Sequence, residues 1–229
     1  MRAIHDNLQA VQERIAHAAA AAGRDPSAVT LLAVSKTHSA ALVAEALAAG
    51  QRAFGENYVQ EAVEKMDALA DKGVEWHLVG PLQSNKTKLV AARFDWVHSV
   101  ESEKIARRLS EQRPSGMRPL NVLIQVNVSG ETSKSGVAPV EVSALAGAIA
   151  PMPNLKLRGL MAVPEPGAHV DRYRELKNLY ETLKKNEFQF DTLSVGMSDD
   201  LELAVAGGAT LVRVGTAIFG ARKSIRTAA

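Results

Sequence analysis

The chain has 229 residues, 46% of them hydrophobic and 23% charged, the balance of a globular protein rather than of a disordered tail or a membrane bundle. Its 27 Lys and Arg against 25 Asp and Glu leave a formal charge of +2, too small to drive binding to a phosphate backbone, so nucleic acid is not an expected partner. The lack of cysteine excludes a disulfide framework, a thiol nucleophile and a thiolate metal site, and makes the cytoplasm the expected compartment.

Ile4, Leu8, Val11 and Ile15 fall on one helical face, and Gly23 and Pro26 end that helix. Arg2, His5, Asp6, Glu13 and Arg14 interrupt the same segment, which therefore lacks the apolar centre of a secretion signal. No run of about 20 apolar residues occurs elsewhere, so no membrane is expected. From Thr30 onward short β-rich runs alternate with longer amphipathic stretches. Strands are expected over 31–36, 52–56, 75–80, 96–100, 122–127, 157–163, 192–197 and 211–214, and helices between them over 40–49, 58–72, 85–93, 102–113, 139–150, 170–186 and 199–207. A short tail follows the last strand.

This alternation predicts an α/β fold, a single (β/α)8 TIM-type barrel over residues 1–229 with an extra N-terminal helix. An open doubly wound sheet competes, but it carries fewer strands and a Gly-rich first turn, whereas the turn here reads Ser35-Lys36-Thr37-His38. In a barrel, chemistry collects at the C-terminal ends of the strands.

Lys36 shares its strand phase with Val34 and Leu32. Apolar walls there disfavour an ammonium and favour the neutral amine that attacks a carbonyl, although a lysine at a strand end can also simply reach solvent or a carboxylate. On the last strand Arg213 and Gly215 share a phase, and Gly215, Thr216 and the Ser198 that follows strand seven supply donors for an anion. Packing by the glycine and helix capping by the serine are the plainer readings. Asn57 and His77 stand near the same mouth, as a pocket pair or as a helix cap and a hydrogen-bonded core histidine. The 6 histidines are dispersed without a His-Glu-x-x-His motif, so no metal is expected. Neither a Walker motif nor a Gly-x-Ser-x-Gly elbow is present.

Val34-Ser35-Lys36-Thr37, Phe54-Gly55-Glu56-Asn57-Tyr58, the run from Trp76 to Lys86, Gly159-Leu160-Met161-Ala162, Gly196-Met197-Ser198-Asp199-Asp200 and the run from Arg213 to Gly220 resemble, in order, the pyridoxal phosphate homeostasis protein family, related to the alanine racemase N-terminal barrel. That resemblance implies pyridoxal 5'-phosphate held as a Schiff base on Lys36. It further implies a phosphate on Ser198, Gly215 and Thr216, a pyridine nitrogen facing Arg213, and a pocket lined by Asn57 and His77. The implied role is holding or delivering the cofactor in vitamin B6 and amino-acid homeostasis, with apo pyridoxal phosphate enzymes as recipients and no turnover of its own.

The residues themselves favour the same restraint. Pyridoxal phosphate is the best electron sink when an acid protonates its ring nitrogen, and a permanently charged guanidinium is a poor one. Nine residues follow Gly220, so no second domain of the racemase kind is expected, and a monomer is. The alternatives are a small pyridoxal phosphate-dependent racemase or lyase and a cofactor-free lysine aldolase. Lys134, in the loop after strand five, is a candidate for transient capture of the cofactor or a plain solvated lysine.

Overall fold

The computed structural model describes residues 3–131, 134–185 and 188–221. Its elements follow in the order α1 (Ile4–Ala21), β1 (Thr30–Val34), α2 (Ala40–Ala48), β2 (Ala53–Glu56), α3 (Val59–Ala68), β3 (Glu75–Leu78), α4 (Thr87–Arg93), β4 (Trp96–Val100) and α5 (Glu103–Gln112). The second half contains β5 (Leu120–Val126), α6 (Val142–Ile149), β6 (Leu155–Ala162), α7 (Val170–Lys185), β7 (Thr192–Ser194), α8 (Leu201–Ala206), β8 (Leu211–Val214) and α9 (Thr216–Phe219). The strands close in sequence order into a parallel barrel, β8 returning to β1 with Leu32 beside Arg213. The expected fold is the observed one, including the helix that precedes the barrel.

Alternation along the strands divides the buried residues into two cores. Outward-facing Phe54, Leu78, Val97 and Ile124 pack under the helices with Val43, Phe94, Leu109 and Ile149, each fully buried side chain contributing about 1.5–3 kcal/mol. Inward-facing Leu32, Ala53 and Leu211 form one apolar cluster inside the barrel, and Trp96, Leu123 and Met161 another. The space between them is polar: His77, His98, Ser194 and Arg213 are all buried.

Several strands end earlier than their sequence pattern, while β2, β4 and β8 end where expected. β1, expected to reach Lys36, ends at Val34, β3 ends at Leu78 instead of residue 80, and β7 ends at Ser194 instead of residue 197. Single sheet-like bonds continue beyond the formal ends, Ser35 N–H to Gly55 O at 3.0 Å and Val79 N–H to Glu56 O at 2.9 Å. The apolar phase therefore persists into the barrel mouth after the regular ladder has stopped. Helix α3 ends at Ala68 rather than 72, because Asp71 turns into the left-handed region at φ 61°. The last residue of the expected 170–186 helix, Asn186, and the tail from Arg222 lie outside the described residues.

The apolar stripe of α1 is buried as its spacing predicts. Its polar side chains reach the loops at the C-terminal ends of the last strands. Asn7 Nδ2 donates to Ile218 O at 2.8 Å in α9, and Arg14 donates to Ser198 O at 3.0 Å and to both Glu202 oxygens. Among the described residues no helix is long and apolar enough to cross a membrane.

Candidate functional site

A cavity of about 430 Å³ opens at the C-terminal end of the barrel, lined by Lys36, Asn57, Ser198, Arg213, Gly215 and Thr216 together with Val34, His38, Val79, Val163, Met197 and Asp199. Six of the seven site residues expected from the sequence are thus brought together from both sides of the β8/β1 seam and from β2.

The segment carrying Lys36 is fixed from behind. Lys65 of α3 is buried and donates to Ser35 O at 2.7 Å, to Glu56 Oε1 at 2.7 Å and to Glu61 Oε1 at 2.6 Å. The Ser35 hydroxyl donates to the same Glu56 oxygen at 2.5 Å, and the backbone N–H of Thr37 donates to Glu61 Oε1 at 2.6 Å. Both neighbours of Lys36 are therefore held by one ion cluster, which also supports Thr37 at φ 66°. That conformation is costly for a β-branched residue and persists only where the surroundings over-determine it. Burial pushes the Glu56 carboxyl above its ordinary range, against the opposing pull of Lys65.

Arg213 enters from β8, the strand paired with β1. Its Nη1 donates to Ser194 O at 2.8 Å and Ser194 Oγ at 2.7 Å, and its Nη2 to Ala162 O at 2.8 Å. Burial pushes this guanidinium down to about 10, with Asp200 opposing, so it remains charged at neutral pH. No carboxylate among the described residues touches it. One face stays on the cavity while the other is anchored to β6 and β7.

Gly215 and Gly80 are among the glycines that close approach requires. A Cβ on Gly215 would stand 2.9 Å from Val34 O, and one on Gly80 would stand 2.3 Å from Asn57 O. The first keeps the Gly215–Thr216 backbone open beside Lys36, and the second lets Asn57 settle against the end of β3. The capping alternatives do not hold: Tyr58, not Asn57, occupies the N-cap of α3, and Asp200, not Ser198, that of α8. Asp200 accepts from Met197 N–H and from the Tyr173 hydroxyl, both at 2.5 Å; burial, then this carboxylate, raises the phenol.

His77 is not brought to the cavity. It lies deeper in the barrel, its Nδ1 2.9 Å from His98 Nε2 and its Nε2 2.9 Å from Glu75 Oε1, so the core-histidine alternative describes its position. Lys134 also does not line the cavity; its ammonium lies 3.1 Å from Glu131. The sequence reading missed Val79, Val163, His38, Met197 and Asp199 as residues of this cavity. Val79 and Val163 were legible, since they continue the inward phase of His77 and Met161. His38, whose ring stacks on Phe219 at 5.2 Å, depends on α9, a helix not expected from the tail of the sequence.

The donor set suits a small phosphorylated aldehyde. Ser198, Thr216 and Gly215 line the cavity with hydroxyls and an open backbone, Lys36 lines it with an amine-bearing side chain, and Val34, Val79 and Val163 add apolar walls. A parallel barrel with a lysine just beyond its first strand and an inward arginine on its last belongs to the class of alanine racemase-type barrels. The family described as alanine racemase, N-terminal domain, matches residues 6–223. The pyridoxal phosphate homeostasis protein of Pseudomonas aeruginosa is 59% identical over 223 residues, covering 97% of each chain. That of Escherichia coli K12 is 52% identical over 229 residues, covering 97% of this chain and 98% of its own. PipY of Synechococcus elongatus, solved with PLP bound, superposes with a TM-score of 0.82 at 36% identity, covering 95% of this chain and all of its own. The chain belongs to the pyridoxal phosphate homeostasis protein family.

Proposed function

We propose that this protein binds pyridoxal 5'-phosphate in the barrel-mouth cavity through a Schiff base to Lys36 and serves as a holder or donor of the cofactor without turnover of its own. The convergence of Lys36, Asn57, Ser198, Arg213, Gly215 and Thr216 on one cavity carries this reading. When bound, the cofactor supplies an aldehyde for amines and an electron-withdrawing ring.

The remaining chemistry belongs to the chain. The Lys65–Glu56–Glu61 cluster fixes the residues on either side of Lys36 and so presents its amine to the cavity. Ser198, Gly215 and Thr216 hold the phosphate, while α1 holds the carbonyls of Ser198 and Ile218. Arg213 faces the ring nitrogen as a donor that remains charged, so the nitrogen stays a weak proton holder and the ring a weak sink. Cytoplasmic location, a monomeric state and delivery to apo enzymes belong to the same proposal.

Retention is the direct test. Protein saturated with pyridoxal phosphate and then desalted should keep visible absorbance, and on mixing with an apo pyridoxal phosphate enzyme should restore its activity. Passage through desalting with no cofactor retained refutes the reading, and retention without any transfer refutes the donor role.

A further inference from the structure

Beneath the cavity a chain of hydrogen bonds runs the length of the barrel. Arg213 Nη1 lies 2.7 Å from Ser194 Oγ, Ser194 Oγ 3.0 Å from His98 Nδ1, His98 Nε2 2.9 Å from His77 Nδ1, and His77 Nε2 2.9 Å from Glu75 Oε1. Ser194 and His98 have no exposure and His77 has 1%. Glu75 is half-exposed at the opposite end of the barrel, where it lines a separate cavity with Gln51 and Arg52.

The two ends dictate the direction of every hydrogen between them. A guanidinium only donates and a carboxylate only accepts. Burial holds both imidazoles below their ordinary range, so each ring is neutral and has one donor and one acceptor nitrogen. Since Glu75 accepts, His77 carries its hydrogen on Nε2 and accepts at Nδ1. His98 must then carry its hydrogen on Nε2 and accept at Nδ1, where the Ser194 hydroxyl donates. That hydroxyl oxygen in turn accepts from Arg213. All four bonds point from Arg213 to Glu75, and reversing one link alone would set N–H against N–H, or lone pair against lone pair, in a dry interior.

We propose that Glu75 is a positioning residue for Arg213: from the far end of the barrel it fixes the tautomers of His77 and His98 and the direction of the Ser194 hydroxyl, and so the acceptor that the buried guanidinium meets. The cluster explains why two histidines are tolerated side by side in a barrel core. It also assigns His77 a part, since this residue touches the site only through the chain. Arg158 and Asp95 are the other charges that bear on the Glu75–His77 end, and Asp200 bears on Arg213. The hydrogen bond from His77 holds Glu75 below its ordinary range against the opposing effect of burial, so the polarity is set at neutral pH. That the polarity matters to a bound ring rests on the function proposed above; the hydrogen-bond chain itself does not.

The substitution Glu75→Lys replaces a side chain that only accepts with one that only donates. A donated ammonium hydrogen satisfies His77 Nε2, after which His77 and His98 both carry hydrogen on Nδ1 and the Ser194 hydroxyl loses His98 as its acceptor. The experiment is nitrogen-15 NMR of the full chain, without added cofactor, labelled in the imidazoles and guanidinium groups. In the wild type both rings should show a protonated Nε2 and a lone pair on Nδ1. In Glu75→Lys the two patterns should exchange in both rings, and the Arg213 guanidinium hydrogens should lose protection against exchange while the β8 amides keep theirs. Overturning results are a wild-type His98 protonated on Nδ1, a substitution that changes His77 but not His98, or unaltered Arg213 protection. The wild-type spectrum alone decides the first of these, whatever the stability of the variant, and none depends on whether pyridoxal phosphate binds.

Discussion

Replacing Lys65 with Met removes a cation that contacts a fully buried carboxylate while keeping most of the stem's volume. Lys65 is 4% exposed and Glu56 has no exposure. Without the ammonium, Glu56 keeps the Ser35 hydroxyl on Oε1, and its Oε2 has no partner among the described residues. Breaking a buried pair by removing one partner costs about 3–5 kcal/mol, most of it the burden of the charge left behind. For a urea slope of about 3 kcal/mol per molar, the unfolding midpoint should fall by roughly 1–2 M. The loss should depend on pH in a defined direction. Burial already raises the Glu56 carboxyl in the folded wild type, and removing Lys65 raises it further. A raised folded-state acid binds its proton more tightly than the unfolded chain does, so its contribution is fully present below the ordinary carboxylate range and is lost as pH rises through the raised value. Urea titrations at acidic and at mildly alkaline pH should therefore show a small penalty in the first and the full penalty in the second. Adding Glu56→Leu to Lys65→Met should recover stability, because a buried pair replaced entirely by apolar groups is often neutral. A penalty below about 1 kcal/mol at alkaline pH, or one equal at both pH values, refutes the reasoning.

Three other outcomes follow from the site. Thr216→Val should weaken retention of pyridoxal phosphate roughly ten- to a hundred-fold, measured by equilibrium dialysis, because a hydrogen bond to a charged group contributes about 1.5–3 kcal/mol; equal wild-type affinity for phosphate-free pyridoxal removes the phosphate site from the account. If Lys134 captures cofactor during transfer, Lys134→Ala should slow delivery to an apo enzyme, and a delivery rate equal to wild type ends that idea. Incubation of the loaded protein with L- and D-amino acids in deuterated water should give Cα exchange far below a typical enzyme median of about 10 per second, read by mass spectrometry; rapid stereospecific exchange lost in Lys36→Ala would establish an enzyme.

The barrel was legible because strands and helices alternate with different periods, and the periods do not depend on tertiary contacts. The lining of the cavity was legible where it follows strand phase, as with Lys36 beyond Val34 and Gly215 beyond Arg213. It failed at His77, because phase places a residue inside a barrel but does not give its depth. The depth is set by the stagger of β3 against β4, which pairs His77 with Trp96 in the sheet and stacks their rings at 5.1 Å. The ion cluster behind Lys36 was equally hidden. Lys65 and Glu61 stand at the four-residue spacing of any surface helical pair, and only the docking of α3 onto β1 and β2 buries Lys65 against Glu56. The part played by α1 was half visible: its apolar stripe predicted that it covers something, but not that Asn7 and Arg14 would hold the loops of the cavity.

The covalent link to Lys36 is the claim on which the function rests. Borohydride reduction of the protein saturated with pyridoxal phosphate, followed by proteolysis and mass mapping, tests it without reference to any activity. Phosphopyridoxyl should be found on Lys36, and Lys36→Ala should lose it. Label mainly on Lys65, Lys134 or another lysine of the wild type would contradict the account.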